Sequence, residues 1–222
     1  MSLQISTSTK FRQTCPAFIG VGLCMKIVNS PTSDALWAEI EVAVSELRSQ
    51  FTADSIKTRP GILATRTAYK AAGKDPSRYR PACEQLARRI LQGKDLYKVN
   101  TVVDLVNLVS LRSAYSTAAL DADKIEGTCI ELDFGRAGEP YEGIGRGRLN
   151  IENLPTYRDS LGAFATPTSD STRTMLSLET THLLLLINAY DGNRNYLEQA
   201  SNLSIRLLKD YAEAQDISIV FF

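Results

Sequence analysis

Two polar side chains interrupt a strongly apolar stretch, and they are the first candidates for a chemical role. In VVDLVNLVSL (102–111), Val and Leu recur at helical spacing, while Asp104 and Asn107 stand three residues apart. Residues at this spacing share one face of a helix, and polar groups on a buried helix need hydrogen-bond partners. The pair either fixes the following turn or lines a pocket. We favour the structural role for Asp104 and leave both roles open for Asn107.

The other reactive residue types do not form a recognisable catalytic set. His182 is the sole histidine and precedes the apolar run 183–187, where a hydrogen-bonded structural role is expected. Nothing places it beside a nucleophilic Ser or Cys. The four cysteines are scattered, at Cys15, Cys24, Cys83 and Cys129. We therefore expect free thiols in a reducing cytoplasm, no metal site and no cofactor.

Predicted strands and helices would position these residues. They are intermixed along the chain, and no point in the sequence divides them into two domains. The sequence predicts a strand-like run, FIGVGLCMKIV, within 11–28, and a helix that Ser33 or Asp34 caps. The further predicted helices cover about 60–73, 81–93 and 195–214, and the further predicted strands cover 128–134, 156–159, 182–190 and 217–222. A charged turn, Leu120 to Gly127, feeds the strand at 128. This order predicts one α+β domain over 1–222, with an N-terminal strand and helix (10–52) and a core (57–222).

Two loops invite a functional interpretation. The segment FATPTSDSTR (164–173) is dense in hydroxyl groups. The glycine-rich GIGRG (143–147) superficially resembles a phosphate-binding loop, but no helix begins after it. We therefore interpret 135–147 as a hairpin or mobile loop.

Charge is segregated along a chain whose formal net charge is zero. Between Lys57 and Lys98 there are 11 basic and 3 acidic residues, an excess of +8 that the remainder must balance. Arg78, Arg80, Arg88 and Arg89 form a candidate phosphate-binding set, with Tyr79 as a stacking partner. The alternative, which we favour from the residues alone, is a solvated helix face with one or two ion pairs.

Composition excludes some classes of protein. Hydrophobic residues make up 44% and charged residues 23% of the chain, which is typical of a globular protein. The longest apolar run is too short to span a membrane, and the first residues lack the apolar core of a signal peptide. We expect a cytoplasmic protein that makes no membrane contact.

Two long motifs resemble the B3/B4 domain of the phenylalanyl-tRNA synthetase β subunit, and in particular its free-standing relatives. One is VVDxxNxVxL followed by DxDKIEG, at 102–127. The other is AYKAAGKDPSRYRPACEQLARRILQGK, at 68–94. The resemblance implies an α+β fold in which two interleaved halves build mixed β-sheets flanked by helices.

The resemblance also implies a site. In the synthetase this domain holds an editing pocket that hydrolyses tyrosine wrongly attached to the phenylalanine tRNA. The pocket's Asn matches Asn107, whereas its His falls on Ala118 and its Glu falls near Leu186. An apolar Leu cannot accept the tyrosine hydroxyl, which puts editing of the familiar kind in doubt. The remaining polar groups that the resemblance brings together are Asn107, Ser110, Thr117, Thr168, Ser169, Asp170 and Arg173.

Two functions follow as hypotheses. The first is a free-standing protein that binds tRNA or another RNA and hydrolyses mischarged aminoacyl-tRNA in trans, as an aminoacyl-tRNA deacylase. The second is a pocket on the same fold for a small, amino-acid-like ligand, without RNA or catalysis.

Overall fold

Six α-helices and ten β-strands make up the part of the chain that the computed structural model describes, residues 3–222. The helices are α1 (Thr9–Thr14), α2 (Asp34–Gln50), α3 (Pro60–Ala71), α4 (Ala82–Leu91), α5 (Thr101–Ser113) and α6 (Arg194–Ala212). The strands are β1 (Gln4–Thr7), β2 (Ile19–Lys26), β3 (Ser116–Asp121), β4 (Cys129–Phe134), β5 (Glu142–Gly143), β6 (Gly147–Arg148), β7 (Pro155–Arg158), β8 (Ala163–Ala165), β9 (His182–Ala189) and β10 (Gln215–Phe221). The fold is α+β, as predicted.

Two four-stranded sheets face each other across an apolar layer. One sheet has the order β1-β4-β7-β8, with β1 and β4 parallel, and the other has the antiparallel order β10-β2-β9-β3. Leu184 and Leu120 from the second sheet pack with Leu132 and Tyr157 from the first. The opposite face of the second sheet packs on α2, α5 and α6 through a separate apolar cluster. The second sheet is thus covered on both faces, which explains the continuous apolar sequence of β9.

Caps fix α5, the helix that carries Asn107. The Asn100 side chain accepts a hydrogen bond from the Val103 N–H at 3.0 Å, and Ala114 ends the helix in the left-handed conformation with φ of 62°. The Asp104 carboxylate accepts hydrogen bonds from Thr32 and from the Val99 N–H. Asp104 therefore ties α5 to the segments around it, in the structural role that we favoured.

Three local features differ from the predictions. The residues between α5 and the charged turn form strand β3, which is absent from the predicted strands. Phe11 belongs to the short helix α1, capped by Ser8, and the strand-like run starts only at Ile19. The last strand, β10, begins two residues earlier than predicted, at Gln215, and joins the sheet beside β2. For β3 and β10, pairing with distant strands, which the local sequence does not encode, decides the outcome.

Candidate functional site

A cavity of about 590 Å³ opens where α4, α5, β3 and the loop 166–170 meet. Asn107 and Val106 line it from α5, and Thr117 and Ala119 line it from β3. Because side chains alternate along a strand, these two β3 residues face the helices, whereas Ala118 and Leu120 face the other sheet. The hairpin turn between β5 and β6 contributes Ile144 and Arg146 at the opposite rim.

Five of the seven residues that the resemblance grouped together line this cavity. They are Asn107, Thr117, Thr168, Ser169 and Asp170. Ser110 lies behind them, with its hydroxyl 2.6 Å from that of Thr117. The Thr117 hydroxyl also reaches the carbonyl oxygen of Val106 at 3.3 Å, so these two hydroxyls join β3 to α5.

Arg173 lies apart from this group. Its guanidinium donates to both carboxylate oxygens of Asp159, each at 2.9 Å, and it lines a different cavity together with Tyr141. Burial alone would raise the pKa of the Asp159 carboxyl, but hydrogen bonds from Arg173 and from the backbone of Glu126 hold that pKa below its ordinary value. The ion pair stabilises the charged form, and it keeps Arg173 away from the cavity that holds Asn107.

Most hydroxyl groups in the cavity wall are already hydrogen-bonded within the protein. The Thr168 hydroxyl is 2.9 Å from that of Tyr69, and the Thr166 hydroxyl donates to the Ser169 carbonyl oxygen at 3.0 Å. The carboxamide of Asn107 and the carboxyl of Asp170 differ, because neither has a hydrogen-bond partner within residues 3–222. These two groups are therefore the ones available to a ligand.

Asp170 is electrostatically unusual. Burial raises the pKa of its carboxyl to about 8. Within the described residues, no cation forms an ion pair with the Asp170 carboxyl. Arg173, which the resemblance grouped with it, pairs with Asp159 instead. A carboxyl group of this kind either stays protonated at neutral pH or ionises when a cation arrives.

A basic groove adjoins the cavity along α4. Four cationic side chains line this basic groove, those of Arg80, Arg88, Arg89 and Lys94, with Gln85 and Gln92 between them. Gln85 and Arg89 also line the cavity, so the two concave surfaces are continuous. No carboxylate lines the basic groove.

Comparison with known proteins places this arrangement in a family. Residues 64–215 match the family model described as the B3/4 domain. The protein belongs to the B3/4 domain family. This match spans α3 to the start of β10 and contains every residue of the cavity wall and of the basic groove. A comparison with curated proteins gives no match.

The fold of this B3/4 domain is also found in a solved structure. An N-terminal fragment of the phenylalanyl-tRNA synthetase β subunit from Pyrococcus horikoshii superimposes with a TM-score of 0.51 and 12% sequence identity. The superposition covers 99% of this chain and 50% of the fragment. At this identity the likeness is one of fold, and the chain spans about half the length of the fragment that it matches.

Within this B3/4 domain, the four predicted RNA-binding arginines have different surroundings. Arg88 pairs with the fully buried Glu84, at 2.8 Å, and Arg66 holds the same carboxylate at 2.9 Å. Arg89 donates to the Asp95 carbonyl oxygen, whereas Arg80 is exposed. Arg78 stacks on Tyr79 at 5.5 Å and lies outside the basic groove. One of the four is thus an ion-pair residue, in line with the alternative that we favoured from the sequence.

Ala118 and Leu186, at the positions that the resemblance gives to a His and a Glu, do not line the cavity. Both belong to the apolar layer between the sheets, together with Leu184 and Phe164. Asn107 lies on the other side of the same sheet. The three positions therefore do not line one pocket in this B3/4 domain.

His182 lies at the start of β9, away from the cavity. Its Nδ1 is 2.9 Å from an Asp123 carboxylate oxygen, and both side chains are about half exposed. The pair lines a separate depression of about 300 Å³ together with Cys24. Within residues 3–222, no group of three or more His, Cys, Asp or Glu side chains is placed to hold a metal ion. None of the helices in that range is both long enough and apolar enough to cross a membrane.

Several residues of the cavity were not foreseen from the sequence. Arg146 belongs to the GIGRG segment, which the sequence indicated as a hairpin or mobile loop without a binding role, and the short β5-β6 hairpin brings it to the rim. Gln85 lies on the polar face of α4, and no feature of the sequence singled it out from the other polar residues there. The hairpin glycines Gly145 and Gly147, with φ of 68° and 65°, are the signal of a tight turn that presents the residue between them.

Proposed function

We propose that the protein binds the aminoacylated end of an RNA, tRNA foremost, with the aminoacyl group in the cavity and the phosphates along the basic groove. The observation that carries the proposal is the continuity of these two surfaces through Gln85 and Arg89. The aminoacyl end of a tRNA carries one small aminoacyl group, whose side chain is apolar or polar. Several phosphates lie within a few ångströms of that group. A cavity next to a cationic groove matches that distribution of chemistry.

The cavity supports the aminoacyl part of the proposal. Val103, Val106 and Leu176 give it an apolar wall, and burial of an apolar side chain there contributes about 25 cal/mol per Å². The carboxamide of Asn107 can donate to a carbonyl oxygen and accept from an amine. The cavity is large enough for any of the proteinogenic side chains, at about 590 Å³.

The basic groove supports the RNA part. Arg80 and Lys94 are exposed and free of ion pairs within the described residues, so they bind a phosphate without losing an internal partner. Lys94 also lines a second groove, which Trp37 and Arg48 form between α2 and α4. An RNA strand that leaves the cavity would therefore meet further cationic and aromatic side chains.

Hydrolysis of the ester in trans is the finer form of the proposal. Among the cavity-lining residues there is no His or Cys, and the Thr hydroxyls donate to backbone or side-chain oxygens. The attacking group would be a water molecule. Asp170 would not act as its base at neutral pH, because a carboxyl with a pKa of about 8 is mostly protonated there.

The test measures both binding and deacylation. A pool of mischarged tRNAs is titrated with the protein between 50 and 200 mM salt, and release of the amino acid is followed separately. We expect salt-dependent binding whose slope falls by about 1 in Arg80→Ala and in Arg89→Ala. Lys209→Ala, which removes an exposed cation on α6, is the matched control. Absence of RNA binding at 50 mM salt in the wild-type protein would refute the RNA part of the proposal.

A free amino acid is the second candidate ligand. Arg146 lines the same cavity as Asp170, whose carboxyl can ionise when a cation binds, and Arg146 makes no ion pair within residues 3–222. This arrangement suits a zwitterion, whose carboxylate an ester lacks. A ligand at 100 times its dissociation constant stabilises a protein by about 2.7 kcal/mol, so a thermal-shift panel of free amino acids discriminates the two candidates.

A further inference from the structure

We infer that Asp170 binds the ammonium group of the ligand, so that the cavity accepts compounds with a free α-amino group and excludes their N-acylated forms. The inference rests on the proposed function and names the chemical class that the cavity selects. It follows from four properties of the cavity: an ordered loop that carries the carboxyl, an absent internal partner, an apolar wall and a single acidic group.

The position of Asp170 is fixed by the backbone around it. Its carbonyl oxygen accepts a hydrogen bond from the Ile144 N–H at 2.9 Å, which joins the loop 166–170 to the β5-β6 hairpin. On the following residue, the Ser171 N–H donates to the Phe164 carbonyl oxygen at 2.9 Å. Before it, the Thr166 hydroxyl accepts from the N–H groups of Thr168 and Ser169. The backbone of the loop that carries Asp170 is therefore ordered before any ligand binds, which lowers the entropic cost of binding.

The carboxyl of Asp170 lacks an internal partner although cations are near. Arg89 on α4 and Arg146 on the hairpin line the same cavity, and neither forms an ion pair with Asp170. The Arg89 guanidinium is held on the Tyr97 ring, 4.1 Å from its centre. The hydroxyl of Tyr141, which precedes the hairpin, donates to the Ser169 carbonyl oxygen. A partly buried carboxyl without a partner is costly, so a native protein that keeps one suggests a partner that is supplied from outside.

The rest of the wall orients the ligand. Asp170 is the only acidic side chain among the cavity-lining residues, so an ammonium group has one binding position there. Val103, Val106 and Leu176 favour an apolar side chain on the ligand. Asn107, on α5, remains for the carbonyl group of an ester or acid. An N-acylated ligand lacks the positive charge, and it would leave the carboxyl unpaired.

Binding of an ammonium ion should also release a proton. At pH 6.5 the Asp170 carboxyl is mostly protonated, because burial raises its pKa to about 8. Formation of the ammonium–carboxylate pair then converts the acid to its anion, and the proton passes to the buffer. Each ligand that binds therefore releases one proton, minus the fraction of Asp170 carboxyl groups that is already ionised.

The experiment is isothermal titration calorimetry at pH 6.5 with the methyl esters of leucine, methionine and phenylalanine and with their N-acetyl counterparts. Two buffers of different ionisation enthalpy report the number of protons released. We expect at least one free-amine ester to bind about tenfold or more tightly than its N-acetyl form, with close to one proton released. Asp170→Asn, which keeps the shape of the side chain, should abolish both the preference and the proton release. Asp210→Asn, a change of an exposed carboxylate on α6, should keep both.

The alternative outcomes separate the inference from the proposed function. Equal binding of an ester and its N-acetyl form, or a preference for the free amine that survives in Asp170→Asn, would overturn the role of Asp170 and leave the aminoacyl cavity standing. If no ester of either kind binds the wild-type protein, the aminoacyl cavity itself is refuted, and the role of Asp170 with it.

Discussion

Ala118 and Leu186 lie directly opposite each other on the antiparallel strands β3 and β9, and both are buried in the apolar layer between the two sheets. Their exposed fractions are 4% and 0%. These are the positions at which the family resemblance placed a His and a Glu. Two polar side chains at this place would occupy a dry interface and would have no contact with the cavity on the other side of the sheet.

Leu186→Glu should therefore destabilise the protein and create no editing activity. A carboxylate in this layer has no partner, so we expect the free energy of unfolding to fall by about 3 kcal/mol or more. Urea denaturation measures the loss. Leu186→Met conserves volume and polarity, and it should cost less than about 1.5 kcal/mol. A Glu variant as stable as the Met variant would mean that the layer between the sheets admits water.

The buried Glu84 should be more important for stability than either arginine that binds it. Its side chain is 0% exposed and receives Arg66 and Arg88 at 2.9 and 2.8 Å. Glu84→Gln removes the charge that both arginines need, and we expect a loss of about 3 kcal/mol in thermal or urea unfolding. Arg88→Ala should cost less, because Arg66 still pairs with the carboxylate. Glu46→Gln, an exposed change on α2, is the control and should be near neutral.

Asp170 should make stability fall as pH rises. Its folded-state pKa of about 8 lies above the unfolded value, so the folded state binds more protons between the two. In that window, from about pH 4 to 8, this one group contributes a negative slope of at most about 1.4 kcal/mol per pH unit. The contribution is fully present below the unfolded pKa. Asp170→Asn should remove it, so the variant should become more stable than the wild type as pH increases from 5 to 8; parallel curves would contradict the assignment.

Arg173 should affect stability and leave ligand affinity unchanged. The pKa of its partner Asp159 is held below the ordinary value, so the pair stabilises the fold above the unfolded pKa, near 4, and loses that effect as pH falls through the folded pKa. Arg173→Ala should lower the midpoint of thermal unfolding at pH 7 and shrink that difference below pH 4. Its affinity for any ester that the wild type binds should stay within about twofold, because Arg173 lines the other cavity and pairs with Asp159. A large loss of affinity would show that the two cavities are coupled.

Gly61 should not tolerate a side chain. A Cβ at this position would lie 2.7 Å from the Ala114 carbonyl oxygen and 2.8 Å from the Tyr115 ring, at the end of α5. Gly61→Ala must push α3 away from that end, and we expect a cost of about 1–3 kcal/mol. Gly73→Ala is the comparison, because a Cβ there meets no atom within 4 Å and its φ of 81° alone sets the cost, about 1 kcal/mol. Equal losses in the two variants would argue against the close contact.

The elements that could be predicted from the sequence are those whose apolar residues form a clear pattern. Helix α5 has Val and Leu at helical spacing, and β9 is an unbroken apolar run, so both were predictable within a residue or two. Strand β3 has the sequence STAALD, in which β-branched and aromatic residues are nearly absent. It is a strand because β9 offers it an edge to pair with, and such tertiary pairing is not encoded locally.

The candidate site was less accessible to sequence reasoning. Spacing shows that Asn107 lies on an α5 face, but it does not show that a loop about 60 residues later reaches that face. The family resemblance supplied that grouping, and it included Arg173, whose partner Asp159 lies outside the cavity. The two flanking glycines were the only sequence feature that could have indicated a role for Arg146 in the cavity. Contacts between distant loops depend on hydrogen bonds such as that from Ile144 to Asp170, which no local pattern predicts.

The two-sided strand β3 has a consequence for how this protein can change over time. Thr117 and Ala119 belong to the cavity wall, while Ala118 and Leu120 belong to the apolar core. Under the proposed function, substitutions at the first pair can alter ligand preference while the core stays intact. An insertion or deletion of one residue in β3 would exchange the two roles at once. Under the proposed function, point substitutions in β3 can therefore produce new ligand specificities during evolution. Insertions or deletions in this strand would disrupt the core and should not be tolerated.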